Sequence, residues 1–171
     1  MHTCCAPCVL SPAEVLRAGG QEFSLYFFNP NIQPYQEFRR RLAALRELAV
    51  NQWELLADES YTLEDFLRGA LTESGKRCHY CYRLRMLKTA ETARSQGFSS
   101  FSSTLLGSPY QDHTAVVSAA QAAAEEINIP FAYYDFRTGF YAGAQKSREI
   151  GLYRQAYCGC VFSERDRYQR K

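Results

Sequence analysis

All seven cysteines of this chain stand in three tight groups: Cys4-Cys5-Ala6-Pro7-Cys8, Cys78-His79-Tyr80-Cys81 and Cys158-Gly159-Cys160. Cysteines used only for packing would scatter singly along apolar faces. Spacings of one, three and four residues instead bring thiolates within reach of one metal centre, or of each other. The implied chemistry is metal or redox chemistry carried by sulfur. Seven is odd, so complete disulfide pairing is excluded.

The groups differ in what they can do. Cys78 and Cys81 fall three apart near the start of a predicted helix, so both thiols face one direction. That C-x-x-C spacing suits a zinc knuckle, an iron–sulfur site or a thioredoxin-like pair, the last disfavoured because no strand immediately precedes it. Cys4 and Cys5 would point to opposite faces of a strand, so they serve one centre only if the chain turns there; Pro7 can open a helix just after such a turn. Two thiolates from this group with Cys78 and Cys81 make four, enough for a tetrahedral zinc or a 4Fe–4S cluster, and spacing does not choose between them. In Cys158-Gly159-Cys160 one residue separates the thiols. A disulfide there closes a small strained ring of the labile, catalytic kind, with Gly159 giving the backbone its freedom. Ligation of a second metal is the alternative.

Other polar residues gather near these groups. His79 points off the Cys78/Cys81 face, and His2 adjoins the first group as a hydrogen-bond donor behind the ligands. Tyr110, Asp112 and His113 follow the Ser108-Pro109 turn and are candidate proton donors, although an Asp-His pair at a helix start is more often a cap. Arg39, Arg40 and Arg41 crowd one helix, and Arg77, Arg83, Arg85 and Lys88 the cysteine-bearing one. Arg165, Arg167, Arg170 and Lys171 end the chain, and Tyr80, Tyr82, Tyr110, Tyr141 and Tyr157 are interleaved near the motifs. Arginine with aromatics suits RNA phosphates and exposed bases, and solvated helix faces explain each patch taken singly equally well.

The elements that must position these residues read as α/β. Strands are predicted over Glu22–Phe28, Glu54–Ala57, Phe98–Leu106 and Phe131–Tyr134. Helices are predicted from Pro34 to about Val50, from Thr62 with a capping pattern, from Arg77 to Gln96 closed by Gly97, and over the stretch carrying Val116, Ala120, Ala123 and Ile127. In the first of these, Phe38, Leu42, Leu45 and Ala49 form one apolar face opposite Arg39, Arg40, Glu47 and Asn51. Alternating strands and helices predict one domain over residues 1–171, with a mostly parallel sheet flanked by helices in a Rossmann-like three-layer arrangement. The cysteine-rich metal site would lie at the carboxyl edge of the sheet. Only Met1 precedes His2, which leaves little room for a strand leading into Cys4 and Cys5.

Composition sets the surroundings. A chain of 171 residues, 46% hydrophobic, can bury a core without disulfide staples. Cysteines and a proline stand where a signal peptide needs an apolar run, and nothing approaches the ~20 apolar residues of a membrane span. The expected address is cytoplasmic, where clustered thiols bind metal or catalyse. The formal charge of +2 permits a nucleic-acid partner without requiring one.

Taken in order, the motifs resemble the QueH-type epoxyqueuosine reductases. The matching pieces are His2-x-Cys4-Cys5-Ala6-Pro7-Cys8, Asn29-Pro30-Asn31-Ile32-x-Pro34 and Arg77-Cys78-x-x-Cys81-Tyr82-x-x-Arg85. Thr104-Leu105-Leu106-x-Ser108-Pro109-Tyr110-Gln111-Asp112-His113 and Asp135-Phe136-Arg137 follow. The last piece runs from Gly151-Leu152-Tyr153-Arg154-Gln155 through Tyr157-Cys158-Gly159-Cys160 to Ser163. The resemblance implies two-electron deoxygenation of epoxyqueuosine to queuosine at the wobble base of tRNA, with an external electron donor and without cobalamin or a membrane. It also implies a 4Fe–4S cluster on Cys4, Cys5, Cys78 and Cys81, a redox-active Cys158/Cys160 pair, and an additional mononuclear iron for which Cys8 is the first candidate. Two other readings are a zinc-stabilised RNA-binding module and a thiol–disulfide oxidoreductase acting through Cys158 and Cys160, but neither uses all three cysteine groups.

Overall fold

A short parallel sheet forms the spine of the structure, a computed structural model that describes residues 1–73 and 76–169. β1 (Leu25–Phe27) pairs in parallel with β2 (Leu55–Ala57), Leu25 opposite Leu55. Single parallel bridges join His2 to Tyr26 on one side and to Ser103 on the other, and Phe101 to Phe131. The order across the molecule is therefore 55–57, 25–27, 2, 101–103, 131. All three residues of β1 are buried, as expected for a parallel strand covered on both faces.

Seven α-helices are described: α1 (Leu10–Ala18), α2 (Tyr35–Ala49), α3 (Leu63–Thr72), α4 (Arg77–Ser95), α5 (His113–Ile127), α6 (Phe140–Glu149) and α7 (Val161–Tyr168). Tight 3-10 turns occupy Pro7–Val9, Thr104–Gly107 and Arg137–Gly139. α2 buries the predicted stripe of Phe38, Leu42, Leu45 and Ala49 against β1, where Phe27 and Phe38 meet edge to face at 5.3 Å. Each fully buried Phe or Leu side chain of the stripe contributes about 1.5–3 kcal/mol of transfer free energy. A second core joins α4 to α5 through Met86, Ala90, Ala93, Val116, Ala120 and Ala123, several of them small enough for close approach. Gly97, at φ +78°, closes α4 as its sequence predicts.

Differences from the sequence expectation have local causes. The predicted strand over Glu22–Phe28 contracts to Leu25–Phe27. Phe98–Leu106 pairs only at Phe101 and Ser103, because the Ser103 hydroxyl accepts from the Leu105 N–H and turns the chain into a 3-10 turn. Thr62 precedes α3 without a side-chain cap bond. The result is a mixed α/β protein in which two strands form a ladder and bridges continue it, rather than a sheet of continuous strands. No described helix is long and apolar enough to cross a membrane. Arg170 and Lys171, read as part of a basic tail, lie outside the described residues.

Candidate cysteine centre

His2 and Thr3 run in the sheet, the chain bends at Cys4–Ala6, and Pro7 starts the 3-10 turn, its fixed φ suiting that position. This is the turn that adjacent cysteines require. The Cys4 sulfur comes within 3.8 Å of the Cys5 sulfur and 3.7 Å of that of Cys8, and all three lie within 4.8 Å of one another. Cys5 and Cys8 are joined as a disulfide. The Gln155 amide donates to the Cys5 sulfur at 3.0 Å, while its own Oε1 is buried without a partner.

Across from this turn, α4 presents Cys78 at its exposed first turn and Cys81 buried. Four residues on, Arg85 is 1% exposed, although the sequence reading grouped it with the surface arginines. Its Nε donates to the Cys81 carbonyl at 3.2 Å, and its buried Nη2 has no partner. Burial pulls the Arg85 pKa down, but Cys81, Cys158, Cys4 and Tyr82 more than reverse that and raise it. Burial in turn pushes the Cys81 thiol up to about 12 and raises Cys4, with Arg85 opposing both; partial burial raises Cys78, opposed by Arg77. The charge on Cys158 adds to the rise at Cys4, Cys78 and Cys81, so one field couples all three groups.

This donor set fits a metal. A thiol held as high as that of Cys81 does not ionise alone at neutral pH, and a bound cation supplies the charge that makes it a ligand. With the Cys5–Cys8 bond reduced, the three convergent sulfurs of Cys4, Cys5 and Cys8 offer the soft ligands of zinc or iron, Cys78 and Cys81 lying outside that group, and the Arg85 guanidinium offsets the negative charge that thiolates accumulate.

Cys158-Gly159-Cys160 is strapped to the loop after β1. The Arg41 guanidinium donates to the Cys158 carbonyl at 2.7 Å and the Tyr157 carbonyl at 3.0 Å, while its Nε pairs with Glu37 at 2.7 Å. The Gly159 carbonyl accepts from the Gln33 N–H at 2.8 Å, and the Tyr157 hydroxyl donates to the Gln33 carbonyl at 2.6 Å. Gly159 sits at φ +150°, and a Cβ there would come 3.0 Å from Asn31 Nδ2 and 3.1 Å from Ile32. Only glycine fits this position. The exposed Cys158 sulfur accepts from the Gln111 amide at 3.4 Å, and the Tyr82 hydroxyl holds Gln111 by donating to its Oε1 at 2.9 Å. The Cys160 sulfur accepts from the Ser163 N–H at the start of α7.

The remaining candidates fall in varied places. Asp112 is the N-cap of α5, accepting from the Ala115 N–H at 3.0 Å. His113 shares a hydrogen bond with the Tyr133 hydroxyl at 3.1 Å. Tyr110 is exposed, with its ring against Phe140. His2 is wholly buried between Ser103 Oγ and the Phe28 carbonyl, so both ring nitrogens are engaged away from the sulfurs; burial holds its pKa down to about 3. Tyr82 is buried and Arg41 lies inside the protein, which removes both from the surface patches expected of them. Sequence spacing carried a signal: Arg41 stands three after Phe38 on the apolar stripe, and Arg85 stands seven after Cys78 and four after Cys81 on the thiol face. Gln111 carried none beyond its place in the motif.

The family model described as Epoxyqueuosine reductase QueH matches residues 1–166. The Epoxyqueuosine reductase QueH of Dehalococcoides mccartyi is 36% identical over 169 residues, covering 98% of this chain and 93% of that protein. That of Thermotoga maritima is 34% identical over 181 residues, covering 99% and 92% respectively. That of Haemophilus influenzae is 34% identical over 175 residues, covering 97% and 71%. The family match takes in the Cys4 turn, α4 and the Cys158 loop together, and this chain belongs to the epoxyqueuosine reductase QueH family, a family of oxidoreductases.

Proposed function

We propose that this chain removes the epoxide oxygen of epoxyqueuosine at the wobble base of a tRNA, the final reduction in making queuosine. Family membership supports the reaction class. The observation that carries the chemistry is the convergence of the Cys4, Cys5 and Cys8 sulfurs within 4.8 Å of one another, with the charge of the buried Arg85 acting on Cys4, Cys81 and Cys158, one from each group. The order of parallel pairings favours a Rossmann-like sheet with this centre at its carboxyl edge.

In this reading Cys4, Cys5, Cys78 and Cys81 hold a 4Fe–4S cluster, and Cys8 serves an additional mononuclear iron. When bound, such iron supplies single-electron transfer and Lewis acidity toward an epoxide oxygen. Cys5 binds metal only as a thiolate, so loading requires the Cys5–Cys8 pair in its reduced form.

The electron count closes on the chain's own residues. Deoxygenation breaks both C–O bonds, forms the C=C bond and releases water, which takes two electrons and two protons. Oxidising the Cys158/Cys160 dithiol to a disulfide provides both, and an external two-electron donor then restores the dithiol. Gln111, held by Tyr82, donates to the Cys158 sulfur and orients it. Asp112 and His113 directly follow Gln111 in the chain and are assigned proton delivery to the departing oxygen.

The test is anaerobic purification followed by a visible spectrum, iron, zinc and sulfide analysis, and an assay on epoxyqueuosine-containing tRNA with a chemical reductant. A broad band near ~400 nm, about four or more irons per chain and conversion to queuosine are expected. A colourless zinc protein after anaerobic reconstitution would overturn the proposal in favour of a structural RNA-binding module.

A further inference from the structure

Tyr110 and Tyr141 are the two most exposed large hydrophobic side chains described, at 80% and 76%. They come from separate elements and meet on one ring. Tyr110 packs edge to face on Phe140 at 5.7 Å, and Phe140 packs edge to face on Tyr141 at 5.4 Å. Leaving such rings in water forfeits burial that either could have gained in the core, so their common position calls for a partner.

Both ends of this cluster are fastened to the cysteine centre. Tyr110 directly precedes Gln111, whose amide contacts the Cys158 sulfur. Phe140 and Tyr141 open α6, which lies unusually close to α1: a Cβ on Gly143 would come 3.3 Å from Ser11 Cβ, and one on Gly139 2.9 Å. Ser11 is three residues beyond Cys8. The ring cluster therefore keeps a fixed position beside the sulfurs. Farther along α6, Arg148 stands seven residues from Tyr141, two turns on the same face and about 10 Å along the axis. Arg148 is exposed and makes no ion pair among the described residues.

We propose that Tyr110, Phe140 and Tyr141 form a stacking platform for unpaired bases next to the reacting one, with Arg148 meeting the phosphate backbone. This rests on the tRNA reading above and deepens it. An anticodon loop offers the required chemistry, since its bases are already free to stack on aromatic faces and its backbone is anionic. An apolar peptide would use the rings but leave Arg148 without a role. The proposal gives Tyr110 a use through its ring rather than through its hydroxyl.

The experiment measures binding of an anticodon stem-loop RNA with unmodified guanosine at the wobble position, so that affinity is read without turnover. Tyr110→Ala and Tyr141→Ala should each weaken binding about 5- to 150-fold, the range for losing one base–aromatic stack. Tyr110→Phe and Tyr141→Phe should restore it to within about twofold, because stacking survives loss of the hydroxyl. Arg148→Gln should reduce the salt dependence of binding by about one contact. Parent-level affinity in both alanine variants, with circular dichroism unchanged, would overturn the platform and leave the reductase reading intact. A parent protein that binds no RNA at all would overturn both.

Discussion

Arg41→Met tests whether the buried guanidinium positions the Cys158 loop. The Arg41 side chain is 0% and the Glu37 side chain 8% exposed, so the substitution strands a buried carboxylate whose remaining bond comes from the Tyr153 hydroxyl. Breaking one partner of such a pair costs about 3–5 kcal/mol. The Cys158 and Tyr157 carbonyls lose their donors as well. Water reaches Cys158, so their cost sits near the low end, about 1 kcal/mol each. The single variant should therefore lose about 5–7 kcal/mol in anaerobic urea unfolding, a large share of an ordinary 5–15 kcal/mol. Adding Glu37→Gln removes the stranded charge and should recover more than half of that loss. It cannot restore the bonds to the loop, so turnover and thiol reactivity at Cys158 should stay impaired. Turnover returning together with stability in the double variant would refute the positioning role, as would a single variant that loses less than about 1 kcal/mol.

Cys158→Ser should abolish turnover while leaving the visible spectrum intact, whereas Cys78→Ser or Cys81→Ser should bleach it; an unchanged spectrum removes that residue from the ligand set. Gly139→Ala would drive a methyl group into Ser11 and should cost about 1–3 kcal/mol by overpacking, read as a lower urea midpoint, with partial recovery on adding Ser11→Ala. The Arg137 side chain beside Asp135 holds that carboxyl down to about 2. A depressed carboxylate adds stability that is present above its ordinary value and lost as pH falls through about 2, so Arg137→Gln should return the Asp135 NMR titration to the usual range. A titration that stays near 2 would show that another group sets it.

The chemistry of this chain was more legible than its architecture. Cysteine spacing marked a candidate centre because the residues of such a site leave local marks: a turn with Pro7, and two thiols on the first turns of α4. Four of the seven described helices were legible for the same reason, since apolar period and Gly97 act within a few residues; the short α1, α6 and α7 were not. The sheet was not. Pairing depends on distant partners, and only three residues each of β1 and β2 and the single bridging residues His2, Phe101, Ser103 and Phe131 find them. Nor did charge announce burial. Arg41 and Arg85 read as surface cations because arginine rarely enters a core, and that base rate fails where a buried anion or a row of carbonyls awaits it. The motif at Asp112 was legible as a cap and proved to be one.

Those two arginines show how the fold and the site depend on each other. Each is fully desolvated, a condition that costs several kcal/mol unless nearby groups compensate. Arg41 finds a carboxylate and two carbonyls, so its compensation is complete within the protein and its effect is to fix one backbone segment. Arg85 has one carbonyl, the Tyr82 ring at 5.9 Å, a partnerless Nη2 and the charge influence of Cys81, Cys158 and Cys4. Neutral thiols compensate a guanidinium poorly; thiolates do so well. The same burial that discourages Cys4 and Cys81 from ionising therefore places beside them a cation that favours it. A site built only to pack would have no use for that opposition. In a site built to gather negative charge on sulfur, Arg85 lowers the cost of the charged state without exposing it to water.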